Sequence, residues 1–439
     1  MYLTGRLPLL LAVGAVPVVL LSAAGVDAWL AAAGWMLLCL VAALADAAAA
    51  PDPRRITVQR RLPRRVLLGQ AVRAELVLRN GADQTSASGR AVRGRVRDAW
   101  QPTAGAPAER PAIDIPPGES RTIAIPLLPR RRGELRSRFV VVRSDGPLRL
   151  AGRQARLDEP GALRVLPPFT ARRHLPSRLA RLRELDGNTS VQVRGQGTEF
   201  DSLREYVRGD DVRSIDWRAT ARSSTTMLRT WRPERDRHVV IVIDTGRTAA
   251  ARVGDGVRMD AAMEAALLLA ALATRAGDHV HLLMFDRTIR ARVTRVDGPG
   301  LLPALVDAMA PVEPQLIDTD WDAAFAQVRL LTSRPSLVVL LTAQDAAEAA
   351  RGFLGSLPAL AHGAHVLVGA VTDEQDPLPE RPDATDVYRA AAIERAAHDA
   401  AVVAAAIGRA GGEAIAATPE DLPPRIADRY LALKAAGRL

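Results

Sequence analysis

The first fifty residues constrain this chain more than any other part of it. Residues 7–25, LPLLLAVGAVPVVLLSAAG, carry no charge and are long enough for one bilayer-spanning helix. Val26 and Asp27 interrupt the run, and AWLAAAGWMLLCLVAALADAAAA then continues to Ala50. Two apolar spans joined by so short a link are expected to form a helical hairpin over residues 1–50, in which Pro8 and Pro17 are tolerable kinks. Arg6 precedes the first span, while Arg54, Arg55, Arg60, Arg61, Arg64 and Arg65 crowd the exit from the second. The positive-inside rule keeps that cluster, and the chain after it, on the cytoplasmic side of the inner (plasma) membrane. A cleaved signal peptide is the competing reading of the first span, but it leaves the second unexplained.

The net charge of +10 suggests nucleic acid at first sight. Its make-up argues otherwise: Lys434 is the only lysine, and aromatic residues are 4% of the chain and not interleaved with the arginines. Nucleic-acid binding is therefore not expected. A single cysteine, Cys39, excludes an intrachain disulfide and any cysteine-based metal cluster, and secretion is not suggested.

Residues 51–170 alternate apolar and charged positions with period two in RAELVLRN and AVRGRVRDAW, and further short runs follow between Gly and Pro clusters. That pattern predicts a small β-sandwich-like domain carrying no chemistry. Residues 237–439 change period. Strand-like HVVIVID, HVHLLMFD, SLVVLLT, HVLVGAVT and GEAIAA alternate with helical runs, which predicts a doubly wound α/β domain. In such sheets ligands sit at the carboxyl ends of the strands.

Asp244, Thr245, Gly246, Arg247 and Thr248 follow the first of these strands. An Asp with nearby hydroxyls there resembles the start of an adhesion-type metal site, which would offer oxygen ligands to Mg2+. Asp244 and Thr248 are the candidate ligands. The set is incomplete: Gly246 replaces the middle hydroxyl, Ala343 and Gln344 follow Thr342 where a second Asp is expected, and Arg247 would repel a cation. Asp318, Thr319 and Asp320 offer a further ligand in an unfixed register. Among the histidines, His279 and His281 are read as facing opposite sides of their strand, so that they do not chelate together.

Between the two domains, residues 171–236 contain GTEFDSLREYVRGDDVRSIDWRATAR, dense in charges of both signs. Gly197 opens the motif, Gly209 permits a tight turn, and Asp210 or Asp211 is placed to cap the helical turn that follows. Glu199, Arg204, Arg208, Arg213, Asp216, Arg218 and Arg222 are mixed in sign and are expected to neutralise one another, arginine forks suiting carboxylates. Phe200, Tyr206, Ile215 and Trp217 are expected to anchor the segment against the neighbouring sheet. The stretch contains no His or Cys, so catalysis is not expected from it. An ion-paired joint between the domains and a partner-docking surface both remain open.

These same residues, with the following ERDRHVVIVIDTGRT, resemble the signature of the domain of unknown function 58 family, whose C-terminal part has a von Willebrand factor A-like fold. RRRGELRSRFVVVRSDGPLRL resembles the close of that family's β-rich domain. The resemblance implies a MoxR-type AAA+ ATPase as partner and supplies no enzymatic activity, so an enzyme is not expected. The resulting expectation is a membrane-anchored adaptor or scaffold working with that ATPase in assembly or maturation of envelope proteins. The alternative is a metal-dependent ligand-binding sensor built on Asp244 and Thr248.

Overall fold

The computed structural model describes residues 1–81, 90–189, 199–208, 210–232, 237–254, 256–346, 348–373 and 383–439, with side chains at 186–189, 199–202 and 230–232 left aside. It divides into two units, Met1–Leu166 and Pro167–Leu439. Residues 171–236 fall within the second.

In the first unit, helices Arg6–Val13 and Ala15–Ala23 form the rising arm of a hairpin, and Ala28–Ala49 the returning arm. Asp27, which interrupts the apolar run, caps the second arm by accepting from the Trp29 and Leu30 N–H groups. Gly14 is required where the arms cross, because a Cβ there would collide with the Trp35 indole. Both arms stay largely uncovered: Leu9, Val19, Leu20, Trp29, Leu30 and Leu37 are each more than 60% exposed. A core helix of a water-soluble protein would bury such a surface, whereas a bilayer covers it. The segments Arg6–Ala23 and Ala28–Arg55 are each long and apolar enough to cross one.

The rest of this unit is the expected sandwich. One sheet pairs Ile56–Arg61, Val72–Asn80 and Ser120–Leu127. The other is built around the long strand Gly133–Asp145, which is flanked by Val92–Trp100, Ala151–Leu157 and Gly161–Leu166. Alternate residues such as Leu76, Leu78, Val96, Val140 and Val142 interlock between the sheets.

The second unit holds a six-stranded sheet. In chain order its strands are β1 (His238–Asp244), β2 (His279–Phe285), β3 (Ile289–Val293), β4 (Pro335–Leu341), β5 (His365–Val371) and β6 (Glu413–Ala417). They lie in the order β3-β2-β1-β4-β5-β6, parallel except for β3. The helices are α1 (Arg258–Arg275), α2 (Leu301–Met309), α3 (Trp321–Leu331), α4 (Arg351–Ala361), α5 (Ala384–Arg409) and α6 (Leu422–Ala435). Strand β1 is apolar on both faces because both are covered. Val239, Ile241 and Ile243 join the layer of α1 and α6, while Val240 and Val242 join that of α3 and α4. Lys434 fastens α6 to α1 through Asp278, which also accepts from the Tyr430 hydroxyl. Strand order reverses between β1 and β4, and a doubly wound sheet opens its ligand crevice at such a point.

Candidate functional site

Asp244 ends β1 at that crevice and is 3% exposed. Its Oδ1 accepts from the Gly246 N–H at 2.8 Å and the Thr319 hydroxyl at 2.5 Å. Its Oδ2 accepts from Thr248 at 2.9 Å and from Thr342 at 2.7 Å. Three threonines from three loops thus converge on one carboxylate. Gly246 is a steric necessity here, since a Cβ would run into the Thr319 hydroxyl and the Ile317 carbonyl. The glycine that removes a hydroxyl from the loop makes room for a hydroxyl from the next loop. Arg247 pairs outward with Asp318 at 3.0 Å, and Asp320 caps α3.

One strand away, the fully buried Asp286 accepts from the Thr245 hydroxyl, the Arg290 guanidinium and the Arg287 and Thr288 N–H groups. Burial pushes its carboxyl up, but the Arg290 guanidinium and the two backbone donors outweigh that and hold it below the usual carboxylate range. Asp286 escaped the sequence reading, although an Asp directly after an apolar strand is the same signal that singled out Asp244.

These donors decide how well the site suits Mg2+. A hard cation needs oxygens with free lone pairs and enough negative charge. Asp244 has two protein donors on each of its oxygens. Among the described residues no group of three or more acidic, His or Cys side chains is arranged to hold a metal. As folded, the residues do not fit a resident divalent ion.

The charged segment forms a substructure of its own. Glu199–Glu205 and Met227–Arg232 make an antiparallel hairpin that encloses a 3-10 turn, Val212–Ser214, and the short helix Trp217–Thr220. Its described carboxylates are used locally. Asp210 accepts from the Arg204 guanidinium at 2.7 Å and the Val207 N–H. Asp211 caps the 3-10 turn through the Arg213 N–H. Asp216 caps the helix through the Arg218 and Ala219 N–H groups and pairs with Arg229 at 2.7 Å. The Ala219 N–H foremost, then the Arg229 side chain, hold Asp216 below the usual range.

Gly197 and Gly209 lie outside the described residues, as do the Glu199 and Phe200 side chains. Tyr206 and Ile215 are half-buried. Trp217, expected as an anchor, is 70% exposed. Trp217 opens the short helix that Asp216 caps, and its indole is left on the surface. The expectation of mutual neutralisation also needs correcting: Arg204 pairs with Asp210, but Arg213 meets Asp211 only through its backbone N–H, and the guanidinium groups of Arg208, Arg213, Arg218 and Arg222 have no partner among the described residues.

The histidines likewise depart from expectation. Positions two apart on a strand share a face, and His238 contacts both His279 and His281, with ring centroids 5.3 and 5.2 Å away. His238 Nδ1 lies 3.0 Å from His281 Nε2, and His279 Nδ1 lies 2.9 Å from Asp297.

Residues 202–387 match the family described as "Protein of unknown function DUF58". Uncharacterized proteins of Mycobacterium bovis and of two strains of Mycobacterium tuberculosis are each 26% identical over 211 residues, covering 46% of this chain and 63% of theirs. The chain thus spans under two thirds of the length of the curated relatives it matches. Among solved structures, an aerotolerance-related membrane protein from Bacteroides fragilis aligns at 12% identity and a TM-score of 0.27, covering 45% of this chain and 98% of that one. The SpRpn10 VWA domain aligns at 9% identity and a TM-score of 0.28, covering 44% and 94%.

Proposed function

We propose that this chain, whose residues 202–387 match the domain of unknown function 58 and whose α/β domain is von Willebrand factor A-like by the family resemblance, is a membrane-anchored adaptor that recruits a partner through its signature segment. The observation that carries this reading is the state of that segment: Glu205, Asp210, Asp211 and Asp216 are bonded within it, while Val207, Val212 and Trp217 are left 60–70% exposed. Such side chains on a folded surface favour protein contact over catalysis. The closed Asp244 site supports the adaptor over the metal-dependent sensor.

The partner implied by the family resemblance is a MoxR-type AAA+ ATPase, and the role is assembly or maturation of envelope proteins. The arginines after the second apolar helix favour a cytoplasmic body below the inner membrane. Crosslinked co-purification of the full chain from native membranes tests this. Recovery of the ATPase with the intact chain is expected. Its absence, with the chain folded and in the membrane, overturns the partnership.

A further inference from the structure

The hairpin loop between Glu205 and Met227 distributes its charges unevenly. Residues 203–229 contain six arginines and four carboxylates. Arg204 and Arg229 are engaged by Asp210 and Asp216, and the Glu205 carboxylate accepts from the Thr225 hydroxyl. Arg208, Arg213, Arg218 and Arg222 are exposed and their guanidinium groups have no partner among the described residues. Three of them directly follow an exposed apolar residue: Val207–Arg208, Val212–Arg213 and Trp217–Arg218. Asp210 and Asp216 are partly buried and close the loop from within, while the exposed Glu205 and Asp211 are each bonded inside the loop; four arginines and three apolar side chains make up most of what it presents outward.

We propose that this loop is a docking surface for an acidic protein face that offers an apolar recess to Trp217, with carboxylates placed to receive Arg213 and Arg218. The inference rests on the adaptor reading and specifies the chemistry of its partner. Charge complementarity selects an acidic counterpart, because four guanidinium groups with no partner among the described residues, in one loop, meet an Asp- or Glu-rich face favourably and repel a basic one. The apolar residues select a protein. A phosphodiester or lipid headgroup array satisfies arginines but leaves two valines and an indole uncovered, whereas protein interfaces are built around Trp and Arg together. Arginine forks also match carboxylates bidentately.

A photo-crosslinking residue replacing Trp217 in the full chain, activated in native membranes, tests the proposal. The expected product is a single protein adduct whose crosslinked peptide lies in an Asp- or Glu-rich face. Its yield should fall about tenfold with Arg213→Glu/Arg218→Glu, and should be largely kept with Arg213→Lys/Arg218→Lys. These side chains are exposed, so an unchanged unfolding temperature is expected to show that the variants fold. A nuclease-sensitive or lipid adduct, an adduct on a basic or neutral face, or indifference to charge reversal each overturns it. If the MoxR-type ATPase co-purifies while Trp217 gives no protein adduct, the adaptor reading stands and this surface is wrong. If an acidic protein other than that ATPase is captured, the surface stands, and the ATPase partnership is decided by the co-purification alone.

Discussion

The Thr342 hydroxyl donates to Asp244 Oδ2 at 2.7 Å across the crevice between β4 and β1. Where a metal-binding version of this site would bring a second carboxylate, this chain brings a donor. Thr342→Val keeps the shape and removes the bond, leaving buried Asp244 short of one partner. We expect a loss of about 1–3 kcal/mol, read as a lower denaturant midpoint. Millimolar Mg2+ is expected to leave the unfolding temperature of the intact chain unchanged. A resident ion at a hundredfold its Kd would add about 2.7 kcal/mol, and a rise of that size would restore the sensor reading.

His281 is 6% exposed, and its Nδ1 has no partner among the described residues. Burial, then the neighbouring His238 and His279, push its pKa below the ordinary histidine value, with Asp297 pulling weakly the other way. The folded state therefore favours neutral His281, and the unfolded chain binds the extra proton. Stability contributed by the neutral ring is present above about pH 6.5 and is lost as pH falls through the lower folded value. His281→Leu should flatten the fall in unfolding temperature between neutral and mildly acidic pH. An unchanged slope would assign that fall to other groups.

In the sandwich, Arg60 Nη2 meets Asp98 Oδ1 at 2.9 Å, with side chains 5% and 0% exposed. The Trp100 indole N–H and the Ser137 hydroxyl also donate to Asp98. Arg60 was read from the sequence as part of the arginine cluster flanking the membrane span, yet it points into the domain. Asp98→Ala strands a buried guanidinium and should cost about 3–5 kcal/mol. Arg60→Met combined with Asp98→Leu should recover most of that loss, because neither charge is then left unpaired. Equal losses in the single and double variants would show that the pair itself holds the sandwich together.

Period and punctuation made much of the architecture legible. Apolar run length revealed the membrane hairpin, with Asp27 marking its turn, and the change from period two to strand–helix alternation revealed both domains. The α2 helix escaped because Gly298-Pro299-Gly300 precedes it and Pro303 lies inside it, although Leu301, Leu305 and Met309 recur at helical spacing. What sequence could not supply was convergence. Thr248, Thr319 and Thr342 are separated by 71 and 23 positions, and only the packing of three loops turns them into one shell around Asp244. The direction of the Trp217 side chain was equally hidden, because a short helix of any amphipathic pattern can present its first residue either way.

Asp46 links the membrane hairpin to the β module and yields the last prediction. It lies near the end of the second apolar helix and is 3% exposed. Its Oδ1 accepts from the Leu148 N–H at 2.7 Å, and its Oδ2 from the Leu150 and Ala151 N–H groups at 2.7 and 3.0 Å. The turn it grips contains Gly146, where a Cβ would collide with Asp46, and the exposed Arg149, held at a φ of 55°. A non-glycine residue adopts that left-handed conformation only when its surroundings impose it. Hydrogen bonds to a charged acceptor contribute about 1.5–3 kcal/mol each. Losing one such contribution opens the turn roughly tenfold more often. Asp46→Ala should therefore speed tryptic cleavage after Arg149 by about tenfold or more, measured as release of the peptide ending there. Asp46→Asn keeps one carbonyl acceptor and should fall between. Unchanged cleavage in the alanine variant would mean that the turn is held by the strand pairing of Ala151–Leu157 alone, with Asp46 a passive passenger on its helix.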